Sequence, residues 1–204
     1  MFRYFPNNYV WNLSVDLSIE MGARIGEIEE MCAPLLAASE RPDAEGTRAF
    51  RETWSAMADK LCALAHEDEQ GGQLFSAGEK YLRAANYYLT CERLQAHGAP
   101  GREALYRRFL DVFERGCRFS QANCQRVEIP YEGTTLSALY VRAEGNAERA
   151  PLLVQVNGLD STKELKYFVG LPQWLAKRGV SSLIVDQPGT GEALRLKNLK
   201  ARYD

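Results

Sequence analysis

Histidine is scarce in this sequence: His66 and His97 are the only two in 204 residues. Each falls near the end of a predicted helix, where a positive imidazole suits the helix dipole, so both read as structural. The five cysteines, Cys32, Cys62, Cys91, Cys117 and Cys124, contain no C-x-x-C pair. With so few imidazoles and no clustered thiols, the ligand set of a zinc site is missing. An odd number of scattered cysteines, four of them in helical segments, reads instead as reduced, mostly buried thiols of a cytosolic protein. No metal and no cofactor is expected. Long apolar runs are lacking too. None reaches the roughly eighteen residues of a membrane span, and the opening MFRYFPNNYV has no apolar signal-peptide core. An excess of one charge is also missing, because 25 Lys and Arg face 27 Asp and Glu, a net charge of −2. That balance gives no support for nucleic acid or a membrane surface as a partner. The short basic cluster Arg195, Lys197, Lys200 and Arg202 reads as a solvated helix face.

What is present is an ordinary composition for a soluble protein, 46% hydrophobic and 25% charged, arranged in two halves of different period. Residues 1–122 read as a helical domain. Val10, Leu13, Leu17 and Met21 share a stripe, and Ile25, Ile28, Met31 and Leu35 continue it past Gly22 and Gly26. Phe50, Trp54, Met57, Leu61 and Leu64 form a long stripe. Leu74, Tyr81, Ala85, Tyr88 and Leu89 form another, and Leu105, Phe109, Val112, Phe113 and Cys117 the last. All have the three-or-four spacing of an amphipathic helix. The breaks are RPDAEG at 41–46, EDEQGG at 67–72 and HGAPG at 97–101. The acidic run Glu67–Glu69 reads as a solvated loop. The aromatics Tyr9, Trp11, Trp54, Tyr81, Tyr87 and Tyr88 read mostly as core. No repeat of constant period is visible, which argues against a solenoid.

From residue 123 to 204 the period is strand-like. CQRVEIPYEGTTLSALYVRAE predicts a hairpin near 124–142. PLLVQVNG and VSSLIVDQPG predict strands near 151–157 and 181–186, each apolar enough for burial on both faces. Between them, STKELKYFVGLPQWLAKRG predicts a helix opened by a Ser161–Glu164 capping box, interrupted at Gly170 and Pro172, and stopped at Gly179. Strand, helix, strand of this length is a right-handed parallel crossover. The fold class expected is α/β: a helical N-terminal domain, then a hairpin and a parallel β-α-β unit.

SLIVDQPGTGEALRL raises a nucleotide-binding reading that its charges oppose. A phosphate loop, G-x-x-x-x-G-K-[ST], needs a lysine and a hydroxyl where Glu192 and Ala193 stand, and a glycine where Asp186 stands. The glycines therefore serve a sharp turn at the carboxyl edge of the sheet, where open α/β sheets bind ligands. Asp186 reads as a residue that fixes this turn.

VQVNGLDSTKE and IVDQPGTGE resemble the loops after the third and fourth strands of the α/β-hydrolase fold. Together with FPNNYVWNLS, MGARIGEIEE, YLRAANYYLTCERLQ and LYRRFLDVFERG, they resemble one subfamily across essentially the whole chain. It includes dihydroxypseudooxynicotine hydrolase and the fungal pigment hydrolases that shorten polyketides. The resemblance implies an esterase, or a hydrolase of the C–C bond in a β-diketone-like small molecule, that uses a Ser-Asp-His triad. That fold orders its triad as Ser, acid, His, with the serine in a G-x-S-x-G elbow after the next strand. No G-x-S-x-G occurs here, and both histidines precede the sheet. The expectation is therefore an N-terminal portion whose nucleophile, acid and histidine follow Asp204, inactive alone. Ser161, lacking an elbow and a base, is expected to cap a helix. The resemblance also implies substrate-facing roles. Gly158 leaves room at the third-strand loop, the Leu159 N–H donates to the oxyanion, and Asp160 meets a substrate hydroxyl or enol at the pocket mouth; the alternatives are that Gly158 only makes the strand-to-helix turn and that Asp160 is a loop residue suited to a helix N-terminus. The partners expected are a small-molecule substrate and either the remaining C-terminal part or a second copy in a homodimer. The alternative is a non-enzymatic helical interaction module or an inactive hydrolase fragment. A parallel sheet stopped at 181–186 is expected to leave that strand with an open edge and the chain prone to aggregate.

Overall fold

Asn8 begins the first helix by a local bond, its side-chain oxygen accepting from Trp11 N at 3.1 Å, which satisfies one of the free amides of the first turn. The computed structural model describes residues 3–41, 44–145 and 149–202. The chain divides into two compact units, Met1–Ala122 and Asn123–Asp204. In the first lie α1 (Tyr9–Glu20), α2 (Ile25–Cys32), a 3-10 turn (Ala33–Leu35), α3 (Leu36–Ser39), α4 (Ala44–Gln70), α5 (Leu74–Arg93) and α6 (Arg102–Phe119).

A chain of rings runs through this unit. Phe5 meets Trp11 at 5.2 Å, Trp11 meets Phe50 at 4.9 Å, Phe50 stacks on Trp54 at 4.8 Å, and Trp54 meets Tyr87 edge-on at 5.7 Å. Such pairs add about 1 kcal/mol each beyond the area they bury, so they hold α1, α4 and α5 together. Tyr9, by contrast, is exposed.

The predicted α1 stripe is only partly the face that packs, with Met21 buried and Leu13 and Leu17 half-buried. Val10 is exposed, while Trp11, Asn12, Ser14, Val15 and Ser18 are buried. Burial of these polar groups is possible because they are paired. Ser18 Oγ donates to Asn86 Oδ1 at 3.0 Å, Asn86 Nδ2 donates back to Ser18 O at 2.9 Å, and Phe5 N donates to Asn12 Oδ1 at 2.9 Å. The acidic run also differs from its expected loop. Glu67–Glu69 belongs to the end of α4, where Asp68 pairs with Lys80, and Glu69 accepts from Tyr81 Oη at 3.0 Å and Arg115 Nη2 at 2.5 Å. These partners on α5 and α6 offset the cost of acids at a helix C-terminus. Part of the predicted break at 41–46 lies outside the described residues. The cysteines form no disulfide, with Cys32, Cys91 and Cys117 buried and Cys62 and Cys124 half-buried. Burial pushes the Cys32 and Cys91 thiols up to about 12.

Helices α5 and α6 approach closely at Gly78, where an added Cβ would lie 2.5 Å from Ser120 N and 2.9 Å from Phe119 C. Gly78→Ala is therefore expected to destabilise this unit by about 1–3 kcal/mol, because the helices must part to admit a methyl. Thermal unfolding followed by circular dichroism measures it, and an unchanged midpoint would show that the helices move apart freely.

In the second unit, β1 (Gln125–Tyr131) and β2 (Thr134–Val141) form the expected hairpin around Glu132 and Gly133. Both turn residues have positive φ, 42° and 79°, as a two-residue hairpin loop requires. β3 (Leu152–Val156), α7 (Lys163–Phe168), α8 (Leu171–Ala176) and β4 (Ser181–Val185) form the crossover, followed by α9 (Gly191–Arg195). The strand order is β1-β2-β4-β3, with β3 and β4 parallel and β2 and β4 antiparallel.

That order corrects the expected open edge. β4 is paired on both sides, and β3 is the edge, because the crossover returns β4 between the hairpin and β3. It also corrects the expected burial of β3. Leu152, Leu153, Val154 and Val156 are 50%, 42%, 56% and 62% exposed, so apolar side chains stand in solvent on both faces. The capping box is displaced by one residue. Thr162 is the N-cap of α7, its Oγ1 accepting from Leu165 N at 3.2 Å, and Glu164 turns inward. The terminal basic cluster is not one helix face. α9 ends at Arg195, and beyond it Lys197 Nζ donates to Thr135 O at 2.7 Å and Arg202 pairs with Glu132 at 3.0 Å, both on the hairpin.

Candidate functional site

The carboxyl ends of β3 and β4 meet over a buried cluster of charge. Asp186, the residue after β4, is fully buried and accepts four hydrogen bonds. Its Oδ1 takes Asn157 Nδ2 at 2.7 Å and Lys163 N at 2.9 Å. Its Oδ2 takes Glu192 N at 2.9 Å and Lys163 Nζ at 3.0 Å. Lys163 is also fully buried, and its ammonium reaches Glu192 Oε1 at 2.5 Å and Glu164 Oε1 at 2.6 Å as well. Arg126 on β1 caps the cluster from outside, pairing with both oxygens of Glu192 and with Glu128. Ser137 Oγ on β2 donates to Glu192 Oε2 at 3.1 Å.

Glu164, Asp186 and Glu192 each offer a carboxylate oxygen within 4.8 Å of the others, a spacing that also suits a metal ion. Here the Lys163 ammonium bonds to all three and stands where a cation would. Burial works against its charge, but the three carboxylates outweigh that and raise its affinity for the proton. Glu192 behaves in the matching way: burial pushes its carboxyl up, Arg126 and Lys163 pull it down, and it settles at about 2. Glu164 is different. Burial pushes its carboxyl up, Lys163 pulls back, and the neighbouring Asp186 and Glu192 add to the rise. Its Oε2 is buried without a hydrogen-bond partner.

These shifts predict opposite limbs of a pH profile. The depressed Glu192 carboxyl contributes stability that is present above its ordinary value of 4.5 and is lost as pH falls toward about 2. The raised Glu164 carboxyl works the other way: folding favours its neutral form, so its cost grows as pH climbs above 4.5. Urea midpoints across pH are therefore expected to fall on both sides of a mildly acidic optimum. In Glu164→Gln the alkaline limb is expected to flatten, and a limb unchanged by that substitution would locate the titrating group elsewhere.

The predicted loop leaves β3 beside this cluster. Asn157 is buried at its start, Thr162 and Lys163 are buried at its end, and Gly158, Leu159 and Asp160 between them are exposed, Leu159 by 78%. Asn157 and Gln187 exchange two bonds, Asn157 N to Gln187 Oε1 at 2.9 Å and Gln187 Nε2 to Asn157 O at 2.7 Å. A Cβ built on Gly158 meets nothing within 4 Å, so this glycine answers no crowding among the described residues. Gly191, the last glycine of PGTG, has φ +42°, and a Cβ there would overlap the Asp186 carboxylate. The turn thus receives a buried carboxylate rather than a phosphate, with Asp186 fixing it as expected. Sequence reasoning did not single out Lys163, Glu164 or Arg126 as charge partners. Lys163 carries no sequence signal of its own, and the return of β4 brings Asp186 and Glu192 to it, beside its chain neighbour Glu164.

No family model matches the chain. It is 32% identical to the hydrolase LUC6 of Fusarium sp over all of this chain and 49% of that protein. It is also 32% identical to the 20-hydroxy-prefusarin hydrolase FUS2 of Gibberella moniliformis, over 90% of this chain and 43% of the relative. The crystal structure of 2,6-dihydroxy-pseudo-oxynicotine hydrolase superposes with a TM-score of 0.64 at 20% identity, covering 86% of this chain and 46% of that one, which is a likeness of fold. A hairpin and a parallel crossover in the order β1-β2-β4-β3, with glycine-bearing loops at the strand ends, are therefore part of an α/β-hydrolase sheet. The chain has an α/β-hydrolase fold and is similar in sequence to proteins named hydrolases, and it spans about half the length of the curated relatives it matches.

Proposed function

We propose that this chain is the N-terminal portion of a cytoplasmic serine-type α/β-hydrolase. It acts on an ester, or on a C–C bond of a β-diketone or polyketide-like small molecule. The carrying observation is β3, whose apolar residues stand exposed on both faces of an edge strand. A strand so composed fits a sheet that continues beyond it, and in this fold the nucleophile elbow follows the next strand. The exposed loop after β3 then borders the reacting carbonyl. Leu159 N–H donates to the oxyanion, Asp160 meets a substrate hydroxyl or enol, and Gly158 keeps the approach open. The triad is supplied by residues outside this chain, either a continuation past Asp204 or a partner polypeptide.

The open space around Gly158 makes a clean test. Gly158→Val is expected to leave the unfolding midpoint of the 204-residue chain unchanged. In the longer reading frame it is expected to lower turnover of activated esters or a β-diketone about 100-fold, the scale of one lost oxyanion donor. Asp160→Ala is expected to reduce turnover less, again without loss of stability. Full activity in Gly158→Val would remove this loop from the active site. A reading frame that stops at residue 204 would favour the interaction-module reading, and labelling of the short chain at Ser161 by a serine-directed probe would overturn the assignment.

A further inference from the structure

The 158–162 segment projects five residues from the sheet, yet both of its ends reach one oxygen atom. Asn157 Nδ2, before the loop, and Lys163 N, after it, donate to Asp186 Oδ1 at 2.7 and 2.9 Å. Asn157 Nδ2 also reaches Val185 O at 3.1 Å, and Ser161 N closes a turn inside the loop on Gly158 O at 3.1 Å. The other oxygen of the carboxylate is held by Lys163 Nζ and Glu192 N, and Asp186 N is anchored to Ser137 O at 3.0 Å. The carboxylate has little freedom to rotate, and the two loop ends have little freedom to separate.

We infer that Asp186 is a positioning residue, stapling both ends of the 158–162 loop through one oxygen and so setting the place of the Leu159 N–H, with Lys163 and Gly191 holding the staple in register. Gly158, Leu159 and Asp160, the outer part of the loop, are exposed and make few bonds of their own, so their order has to come from the loop's ends. A carboxylate serves better than a neutral acceptor because its bonds are charge-assisted and both oxygens are used. Lys163 contributes twice, by its backbone N–H to Oδ1 and by its ammonium to Oδ2. A displacement of about 1 Å at a donor of this kind costs turnover steeply. The catalytic consequence, and only that, rests on the hydrolase reading.

The test has a structural arm and a kinetic arm. In the 204-residue chain, nitrogen-15 relaxation is expected to give the Leu159 and Asp160 amides order parameters near those of the sheet, about 0.85. Asn157→Ala, which removes one end of the staple and leaves the buried charges intact, is expected to drop them below about 0.6 while the β1–β2 amides stay rigid. Asp186→Ala is expected to loosen the loop further. Asp186→Asn, which keeps an oxygen for both loop ends, is expected to restore much of its order. Loop order unchanged in Asn157→Ala would overturn the inference, as would loosening spread evenly over the whole sheet. Should Asp186→Ala fail to fold, the Asn157→Ala and Asp186→Asn pair still decides. In the longer protein, Asn157→Ala is expected to lower kcat about tenfold or more with KM little changed. A wild-type longer protein without hydrolase activity, beside a loop that loosens as described, would sink the functional reading and leave the staple standing. An active wild type whose loop ignores Asn157→Ala would do the reverse.

Discussion

Replacing Lys163 by methionine is expected to destabilise the Asn123–Asp204 unit by about 3–5 kcal/mol, the usual cost of removing one partner from a buried ion cluster. The methionine fills much of the same volume, so the loss is electrostatic. Three carboxylates, Glu164, Asp186 and Glu192, would then face one another with only Arg126 to compensate, and Arg126 reaches Glu192 alone of the three. A unit of this size has a total stability of the same order, so the variant is expected to populate unfolded forms at room temperature. Urea unfolding followed by signals from residues 123–204 measures it. The loss is expected to shrink as pH is lowered, because protonated carboxyl groups no longer repel. A loss below about 1 kcal/mol would mean that the cluster takes in water and is not the closed network its burial indicates.

Gly191→Ala is expected to be nearly as damaging, at about 3 kcal/mol or more, for a steric reason. The backbone at Gly191 has φ +42°, which L side chains rarely adopt, and the added methyl would overlap the Asp186 carboxylate. Relief requires moving Asp186, which breaks its bonds to Asn157, Lys163 and Glu192 together. The effect is therefore expected to overlap with that of Asp186→Ala. The double variant should be little worse than the worse single one, as for residues acting as one unit. Additive losses would show that Gly191 serves the turn independently of the carboxylate.

Much of the architecture follows from spacing alone. The three-or-four period of residues 8–120 and the strand-like runs near 124–142, 151–157 and 181–186 correspond to observed elements, because local propensity and side-chain period act within a few residues. The loops VQVNGLDSTKE and DQPGTGE were legible as neighbours at the strand ends for the same reason: a parallel crossover brings both strands' carboxyl ends to one edge. Where sequence reasoning failed, a distant partner decided the outcome. Part of the apolar stripe of α1 gives way to Asn12 and Ser18, whose burial depends on Phe5 and Asn86. The acids at 67–69 stay helical because α5 and α6 supply Lys80, Tyr81 and Arg115.

For function, the sequence alone determined the place of the loop, the mismatch with a phosphate site, and the likeness to hydrolases. Those depend on which residues occur and how far apart they stand. The tertiary structure alone decided that β4 lies inside the sheet and β3 at its edge, and that Lys163 is the centre of a charge cluster rather than a surface lysine. Pairing order and burial are set by long-range contacts. Lys163 is tolerated in the interior because the chain returns through β4 with Asp186 and Glu192, which together with its neighbour Glu164 neutralise it.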